Sequence, residues 1–320
     1  MIVRRNSIPA RLWALIRLGR PLFLAGGFIF YGLGAAVAAY DGYPILLLPY
    51  LLGQTAVTAA QWMTHYCNDY FDVEVDRLNR TPTRWSGGSR VLLEGLVRPR
   101  TALIAAQVLG GVALAATGGV ALMSGLLPAG LMLLAIVAAW EYSAPPLRLA
   151  ASGFGELAVA LTVTGLTPLA GYAAATGGLS TRVALTIIPL CFLQFAMMLT
   201  VTFPDARADT IAGKGTLVVR LGGVQAARVH NAALIVAYLV LPLLVFFGLP
   251  PFVALAMALT APVALWQAWR VSRGAWQDPA RQESVAFWGI GLLVGTGLLA
   301  LAAFALLTWQ PGSIPSALLL

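Results

Sequence analysis

Long apolar runs alternate with short polar breaks along nearly the whole chain, and no stretch shows the period-two alternation of barrel strands. About 20 apolar residues suffice for a helix to cross the hydrocarbon core. On that measure nine spans are predicted, at about 22–40, 44–66, 101–123, 126–143, 154–175, 182–203, 225–247, 250–270 and 285–308. Turn-forming pairs separate them, among them Asp41-Gly42, Pro145-Pro146, Gly177-Gly178, Gly222-Gly223, Pro250-Pro251 and Asp278-Pro279. Pro168, Pro189, Pro242 and Pro262 fall inside spans and are expected to kink them. The expected architecture is all-α: one integral membrane domain over 1–320, a bundle of nine helices around a central cavity. An amphipathic segment (1–21) lies on the membrane surface, and the long polar connections 67–100 and 204–224 form a cap.

Composition sharpens this reading. The 320 residues are 59% apolar and 10% charged, against about 25% charged in soluble domains. A water-soluble enzyme, a disordered chain and a disulfide scaffold are all excluded. A net charge of +8 is also the mark of nucleic-acid binders, but 19 of the 20 basic residues fall on one side of the nine-span topology, leaving Arg182 alone on the other. Such asymmetry sets orientation. It predicts a multi-pass protein of the cell inner (plasma) membrane, with the N-terminus and long connections cytoplasmic, the C-terminus outside and no nucleic-acid partner. Cys67 and Cys191 lie in apolar stretches without metal-ligand spacing and read as buried hydrophobes. The two long connections fall at matching places if spans 1–4 and 5–8 are related halves, though no residue-level repeat accompanies them.

Two acidic clusters carry the chemistry. Asn68-Asp69-Tyr-Phe-Asp72-Val-Glu-Val-Asp76 closes span 2; at helical spacing Asn68, Asp72 and Asp76 share a stripe, with Asp69 at its edge. Asp205-Ala-Arg-Ala-Asp209 forms an i, i+4 pair at the end of span 6. Carboxylates this near hydrocarbon are costly and usually functional. Their hard oxygens suit Mg²⁺, which shares its coordination with substrate phosphates. Arg77 and Arg80 follow the first cluster, Lys214 and Arg220 the second. Two acidic walls with cations nearby describe a site for a diphosphate. The plainer reading is a pair of solvated helix ends.

These residues resemble the signatures of UbiA-type intramembrane prenyltransferases: Asn68-Asp69-x-x-Asp72-x-x-x-Asp76, and Asp205-x-x-x-Asp209 followed by Ala-Gly-Lys214-Gly-Thr-Leu-Val-Val-Arg220-Leu-Gly. Tyr142-Ser-Ala-Pro-Pro-Leu-Arg148-Leu and Gly153-Phe-Gly-Glu156 resemble that family's connection after the fourth helix. The resemblance runs from Arg20-Pro21 to about Gly222. It implies Mg²⁺ held by Asn68, Asp72, Asp76, Asp205 and Asp209, gripping a polyprenyl diphosphate whose chain lies in an apolar tunnel opening toward membrane lipid. Asp72, Asp209, Lys214 and Tyr142 would be catalytic; Asp69, Arg77, Arg80, Arg148, Lys214, Arg220 and Glu156 would bind substrates. Many relatives carry a lysine where this chain has Pro146, with Arg148 the nearest cation. The second motif and the Ser-Ala-Pro-Pro segment look most like 1,4-dihydroxy-2-naphthoate prenyltransferases of menaquinone biosynthesis, whereas the first motif looks closer to the 4-hydroxybenzoate type. An aromatic acceptor of either kind is implied.

The expected chemistry is ionisation of an allylic diphosphate and attack by an electron-rich aromatic carbon, with water kept out. Ser86-Gly87-Gly88-Ser89-Arg90 would offer backbone N–H groups to phosphate from a lid, or be a flexible turn. His65 shares nearly the face of Asn68 and would orient a ligand or simply bond within the bundle; His230 reads as structural. Glu141 and Glu156 flank the connection after span 4, placed to bind the acceptor or act as base. Trp266, Trp269, Trp276 and Trp309 read as interfacial residues. Glycines in 26–34 and 110–119 allow close helix packing or leave room for a prenyl chain. The competing class is a cation-coupled transporter, which would place its acids near mid-span with a route to both faces.

Overall fold

The computed structural model describes residues 8–309, with side chains from residue 12. The remainder of the N-terminal segment (1–7, with Arg4 and Arg5) and the chain beyond 309 lie outside the described residues. Every regular element among the described residues is helical. The helices are α1 (Ile8–Leu18), α2 (Ala25–Tyr40), α3 (Leu47–Phe71), α4 (Val73–Leu78), α5 (Pro99–Ser124), α6 (Leu126–Glu141), α7 (Gly155–Val159) and α8 (Thr167–Thr176). They continue with α9 (Thr181–Thr202), α10 (Ala206–Ile211), α11 (Leu217–Leu221), α12 (Gly223–Leu239), α13 (Leu241–Phe246), α14 (Pro251–Ala258), α15 (Ala261–Ser272) and α16 (Pro279–Thr308).

Among the described residues, seven helical segments are long and apolar enough to cross a membrane: Pro21–Tyr40, Pro99–Ser124, Gly155–Thr176, Thr181–Ile211, Gly223–Phe246, Pro251–Ser272 and Pro279–Thr308. The chain is therefore a multi-pass membrane protein. Two further helices run alongside them. α3 has 25 residues but is loaded with polar groups toward its end, and α6 is apolar with only 16. Leu122, Leu126 and Phe246 are 90%, 83% and 82% exposed, an outward face suited to lipid rather than water.

Proline interrupts the bundle at three of the four places the pattern predicts, whereas α9 runs unbroken through Pro189. Pro242 separates α12 from α13, and Pro262 separates α14 from α15. Before Pro168 the chain widens into a π turn over Ala160–Leu166, since a proline removes the N–H that would close the helical ladder there. Close approach, where it occurs, rests on glycine. A Cβ at Gly34 would lie 2.0 Å from the Pro168 carbonyl oxygen, and one at Gly171 would lie 2.3 Å from that of Tyr31, so α2 and α8 are in backbone contact. Elsewhere glycine leaves space: Gly26 lines the central cavity. Of the four tryptophans read as interfacial, Trp266, Trp269 and Trp309 are exposed, while Trp276 stacks on Phe203 with centroids 5.2 Å apart.

The main core joins α2, α9, α12, α14 and α16 around Phe30, Leu33, Leu190, Leu193, Leu234 and Phe304. A second cluster seats α1 against α3 and α5 through Ala14, Leu18, Met63 and Ala106. Leu12, Trp13 and Ile16 of α1 face outward, and Arg17 reaches Glu94 at 3.3 Å. At the end of the bundle away from the acidic clusters, Asp41 pairs with Arg182 and accepts a hydrogen bond from Tyr172 Oη at 2.8 Å. The charge of Arg182 is thereby neutralised.

Candidate active site

α3 continues to Phe71, and α4 starts at Val73 after a bend at Asp72. The ladder is kept across the bend: Asp72 N–H donates to the Asn68 carbonyl and Asp76 N–H to the Asp72 carbonyl, both at 2.8 Å. Asn68, Asp72 and Asp76 therefore stay on one stripe, and all three line a single cavity. Glu74 points out and pairs with Arg77 at 3.1 Å. Asp69 turns to the edge of the stripe, where it binds Arg20 and accepts from the Ser89 N–H at 3.2 Å.

The second motif follows the end of α9. A 3-10 turn over Phe203–Asp205 leads into α10, bringing Asp205 and Asp209 to the same cavity. Gly213 takes φ +70, a left-handed conformation that suits glycine, and the turn aims Lys214 inward. Two direct bonds then join the motifs across 126 and 142 residues of sequence. Asn79 Nδ2 donates to Asp205 Oδ1 at 2.7 Å, and Lys214 Nζ donates to Asp72 Oδ2 at 2.6 Å. Asn68 Nδ2 donates to the same Asp72 oxygen at 2.6 Å. Burial disfavours the ammonium of Lys214, yet Asp72 and Asp209 outweigh it and hold its pKa above that of an ordinary lysine. Burial, reinforced by Asp69, pushes the Asp76 carboxyl up to about 7 against the pull of Arg20.

The cavity, about 320 Å³, is polar at this end and apolar below. Its wall follows α3 from Asp72 back to Ala56, about 24 Å at helical rise. Met132, Ile136, Val163, Met197, Leu293 and Val294 surround the deeper part. Tyr142 and Glu156 stand at the polar end, Gln61, Thr64, His65 and Gln194 lower down. Glu156 Oε1 accepts from the Leu217 N–H at 3.1 Å, which ties the start of α7 to the segment carrying Lys214.

Not every expected residue is brought here. Arg77, Arg80, Arg148 and Arg220 are exposed and lie off the cavity wall. Arg220 lies against Gly153 and donates from Nε to the Gly215 carbonyl at 2.9 Å, bracing the Lys214 turn from outside. Glu141 also lies off the wall and accepts from the Leu147 N–H at 3.0 Å. His65 lines the cavity with its ring 5.7 Å from that of Phe23, and His230 is buried in α12 with Nδ1 2.8 Å from Asn231 Oδ1. In the Ser86–Arg90 loop the N–H groups of Gly87 and Ser89 are directed at Asp205 and Asp69. Ser86, Gly87 and Gly88 close the polar end of the cavity. Gly88 fits under Asp76, where a Cβ would lie 2.0 Å from Oδ2.

The sequence pattern alone does not mark Arg20 and Asn79 as site residues. Arg20 reads there as one more cytoplasmic charge, yet its side chain enters the polar end, and the fields of Asp69 and Asp76 keep its pKa raised in spite of burial. Asn79 looks like a loop residue; its place three beyond Asp76 on the same stripe is the signal that marks it.

Hard oxygen donors thus face one another from two distant parts of the chain, with Lys214 and Arg20 between them. Among the described residues no three Asp, Glu, His or Cys side chains close a metal site by themselves, so an ion bound here would complete its shell with ligand or water oxygens, the habit of Mg²⁺.

Residues 27–291 match the UbiA prenyltransferase family. Digeranylgeranylglyceryl phosphate synthase of Sulfolobus acidocaldarius is 28% identical over 230 residues, covering 68% of this chain and 74% of that protein. The bacteriochlorophyll synthase 34 kDa chain of Chloroflexus aurantiacus is 32% identical over 191 residues, covering 59% and 57%. The structure of a UbiA homologue from Aeropyrum pernix K1 superposes with a TM-score of 0.65 at 20% identity, over 86% of this chain and 96% of that one. A homologue from Archaeoglobus fulgidus bound to GPP and Mg²⁺ gives 0.63 at 17%, over 90% and 99%. At such identities the solved structures speak to the fold alone; the family match speaks to the activity and sets the transporter reading aside. A match that takes in both acidic motifs and the cavity between them makes this chain a member of the UbiA prenyltransferase family.

Proposed function

We propose that the protein transfers a polyprenyl group from a polyprenyl diphosphate to 1,4-dihydroxy-2-naphthoate, a step of menaquinone biosynthesis, with Mg²⁺ as cofactor. One observation carries the diphosphate half: the Lys214–Asp72 and Asn79–Asp205 bonds, which join the two acidic motifs at the polar mouth of one apolar cavity. The naphthoate half rests on the Ser-Ala-Pro-Pro segment and the second motif. In this reading α3 and α6 also cross, making nine crossings. The segments 67–100 and 204–224 cap the cytoplasmic face of the plasma membrane, and the C-terminus lies outside.

Asn68, Asp72, Asp76, Asp205 and Asp209 would hold Mg²⁺, which supplies Lewis acidity toward the leaving diphosphate. The donor set fits, being all hard oxygens open to a ligand. Lys214 and Arg20 balance the charge that grows on the diphosphate as the allylic C–O bond breaks. The apolar wall from Ala56 to Ala60 and around Met197 holds the prenyl chain and keeps water from the cation. An electron-rich ring carbon of the acceptor then bonds to the prenyl carbon and sheds its proton, or its carboxylate as CO₂, to restore aromaticity. Tyr142, on the wall of the polar end, would have a catalytic role beside Lys214. Arg77, Arg80, Arg148 and Arg220, outside the cavity, would serve the approach of anionic substrates.

The test is purified protein with a polyprenyl diphosphate and Mg²⁺, offered the naphthoate, 4-hydroxybenzoate, homogentisate and a glyceryl lipid in parallel. Prenylated naphthoate is the expected product. Use of 4-hydroxybenzoate or the glyceryl lipid in its place would replace the acceptor, and absence of donor consumption with every acceptor would refute the reading.

A further inference from the structure

Glu156 is 3% exposed, and its second carboxylate oxygen, Oε2, has no hydrogen-bond partner although the side chain lines the cavity. A buried carboxylate oxygen without a donor is costly, and the cost is removed when a ligand supplies one. The other oxygen is fixed by the Leu217 N–H, so the free oxygen is held in place rather than swinging. The Lys214 ammonium is the charge that acts on it, with Asp72 and Asp209 beyond Lys214, and the uncharged Tyr142 hydroxyl is the other titratable neighbour, itself within the field of Glu156. α9, which packs against α7, carries titratable groups only at Arg182, tied to Asp41 at the far end, and at Cys191, 3.8 Å from the Ala160 carbonyl. Of the two glutamates flanking the 142–154 connection, Glu141 is engaged elsewhere and Glu156 alone faces the cavity.

We infer that Glu156 is the base that accepts the acceptor's hydroxyl proton, and that the acceptor class is set by it: an ionisable hydroxyl, not a carboxylate, meets Oε2. This rests on the prenyl-transfer reading above. The O–H proton passes to Oε2, and the oxyanion left behind directs its electron pair to the ring carbon that forms the new bond. The prenyl C–O bond breaks, and the diphosphate leaves with its electron pair. If that ring carbon carries a carboxylate, CO₂ departs and the ring oxygen takes the proton back from Glu156. If it carries hydrogen, that proton shifts to the ring oxygen and the proton on Glu156 leaves to solvent. A nucleophile that is itself a carboxylate would stand against a second buried anion and is disfavoured.

The experiment compares wild type, E156Q and E156D as full-length protein in lipid nanodiscs, with geranylgeranyl diphosphate, Mg²⁺ and 1,4-dihydroxy-2-naphthoate or its 1,4-dimethyl ether. General-base groups contribute about 10²–10⁴-fold. E156Q is expected to lose at least about 100-fold in kcat with little change in donor KM, and to lose from its pH–rate profile the acidic limb due to one group. E156D is expected to recover part of the rate, and the dimethyl ether to be refused by all three. If the panel above returns another hydroxylated acceptor, that acceptor and its methyl ether take the same places. E156Q turning over within about twofold of wild type with the acidic limb intact would overturn the inference. So would E156D no better than E156Q, or wild-type transfer to an acceptor whose only nucleophile is a carboxylate. Absence of donor consumption by wild type with every acceptor would instead count against the prenyl-transfer reading itself.

Discussion

Lys214→Ala tests how the two acidic motifs are held together. Its Nζ lies 2.6 Å from Asp72 Oδ2, and the two side chains are 14% and 7% exposed, so the pair is shielded from water. Removing one partner of a buried pair leaves the other charge uncompensated and costs about 3–5 kcal/mol. Here the remaining charge is worse than solitary, since Asp209 acts from the other wall. In metal-free protein the melting temperature should fall by at least about 6 °C, from 3 kcal/mol at about 2 °C per kcal/mol. Millimolar Mg²⁺ should return part of that loss, because a second cation can stand where the ammonium stood. Asp72→Asn alone leaves the ammonium unpaired, and Asp72→Asn with Lys214→Met removes both charges. The double variant should therefore melt well above the sum of the single losses, with a coupling of about 2–3 kcal/mol. The assay is thermal unfolding followed by thiol-reactive dye or tryptophan emission, with and without Mg²⁺. Single losses under about 1 kcal/mol, strictly additive in the double variant, would refute the reasoning.

Three further outcomes follow from the same geometry. Asp72→Ala and Asp209→Ala should each cut Mg²⁺-dependent prenyl transfer at least about 100-fold, read as product formed by membranes matched for protein amount. Gly88→Ala places a Cβ 2.0 Å from Asp76 Oδ2 on backbone at φ +75, so it should lower transfer sharply, while Gly95→Ala, at φ +69 with no atom near, should change only stability. Gly34→Ala would drive α2 off the Pro168 carbonyl and should cost about 1–3 kcal/mol in thermal unfolding; an unchanged melting temperature would contradict the backbone contact.

Much of this was legible in the chain because the lipid solvent imposes a simple code. Apolar length located the helices, and Pro242 and Pro262 break them where the pattern places the kinks. The acidic stripe was readable from period alone, since Asn68, Asp72 and Asp76 keep helical spacing even across the bend at Asp72. What the pattern could not supply was direction at the bundle ends. Arg77, Arg80 and Arg220 stand beside the acidic motifs in sequence but face out, because the turns carrying them are set by tertiary contacts such as Arg220 against Gly153. Arg20 shows the reverse. It sits 48 residues before Asn68, and only the packing of the chain between α1 and α2 onto α3 brings its guanidinium to Asp69. Long-range pairing of that kind leaves no periodic trace. Glu141 and Glu156 flank the same connection and position alone does not separate them; the family resemblance singles out Glu156, and the fold gives the physical reason, with Glu141 engaged by Leu147 and Glu156 lining the cavity.

The central claim is that the motifs around Asp72 and Asp209 form a single site for a metal-bound diphosphate. Its most direct test is a structure of the full-length protein with Mn²⁺ in place of Mg²⁺ and a non-hydrolysable thiolodiphosphate donor, read by anomalous scattering. The account predicts metal density between the two walls, bridged by the diphosphate, with the prenyl chain running down α3 toward Ala56. Density confined to one wall, or a diphosphate bound away from Lys214, would contradict it.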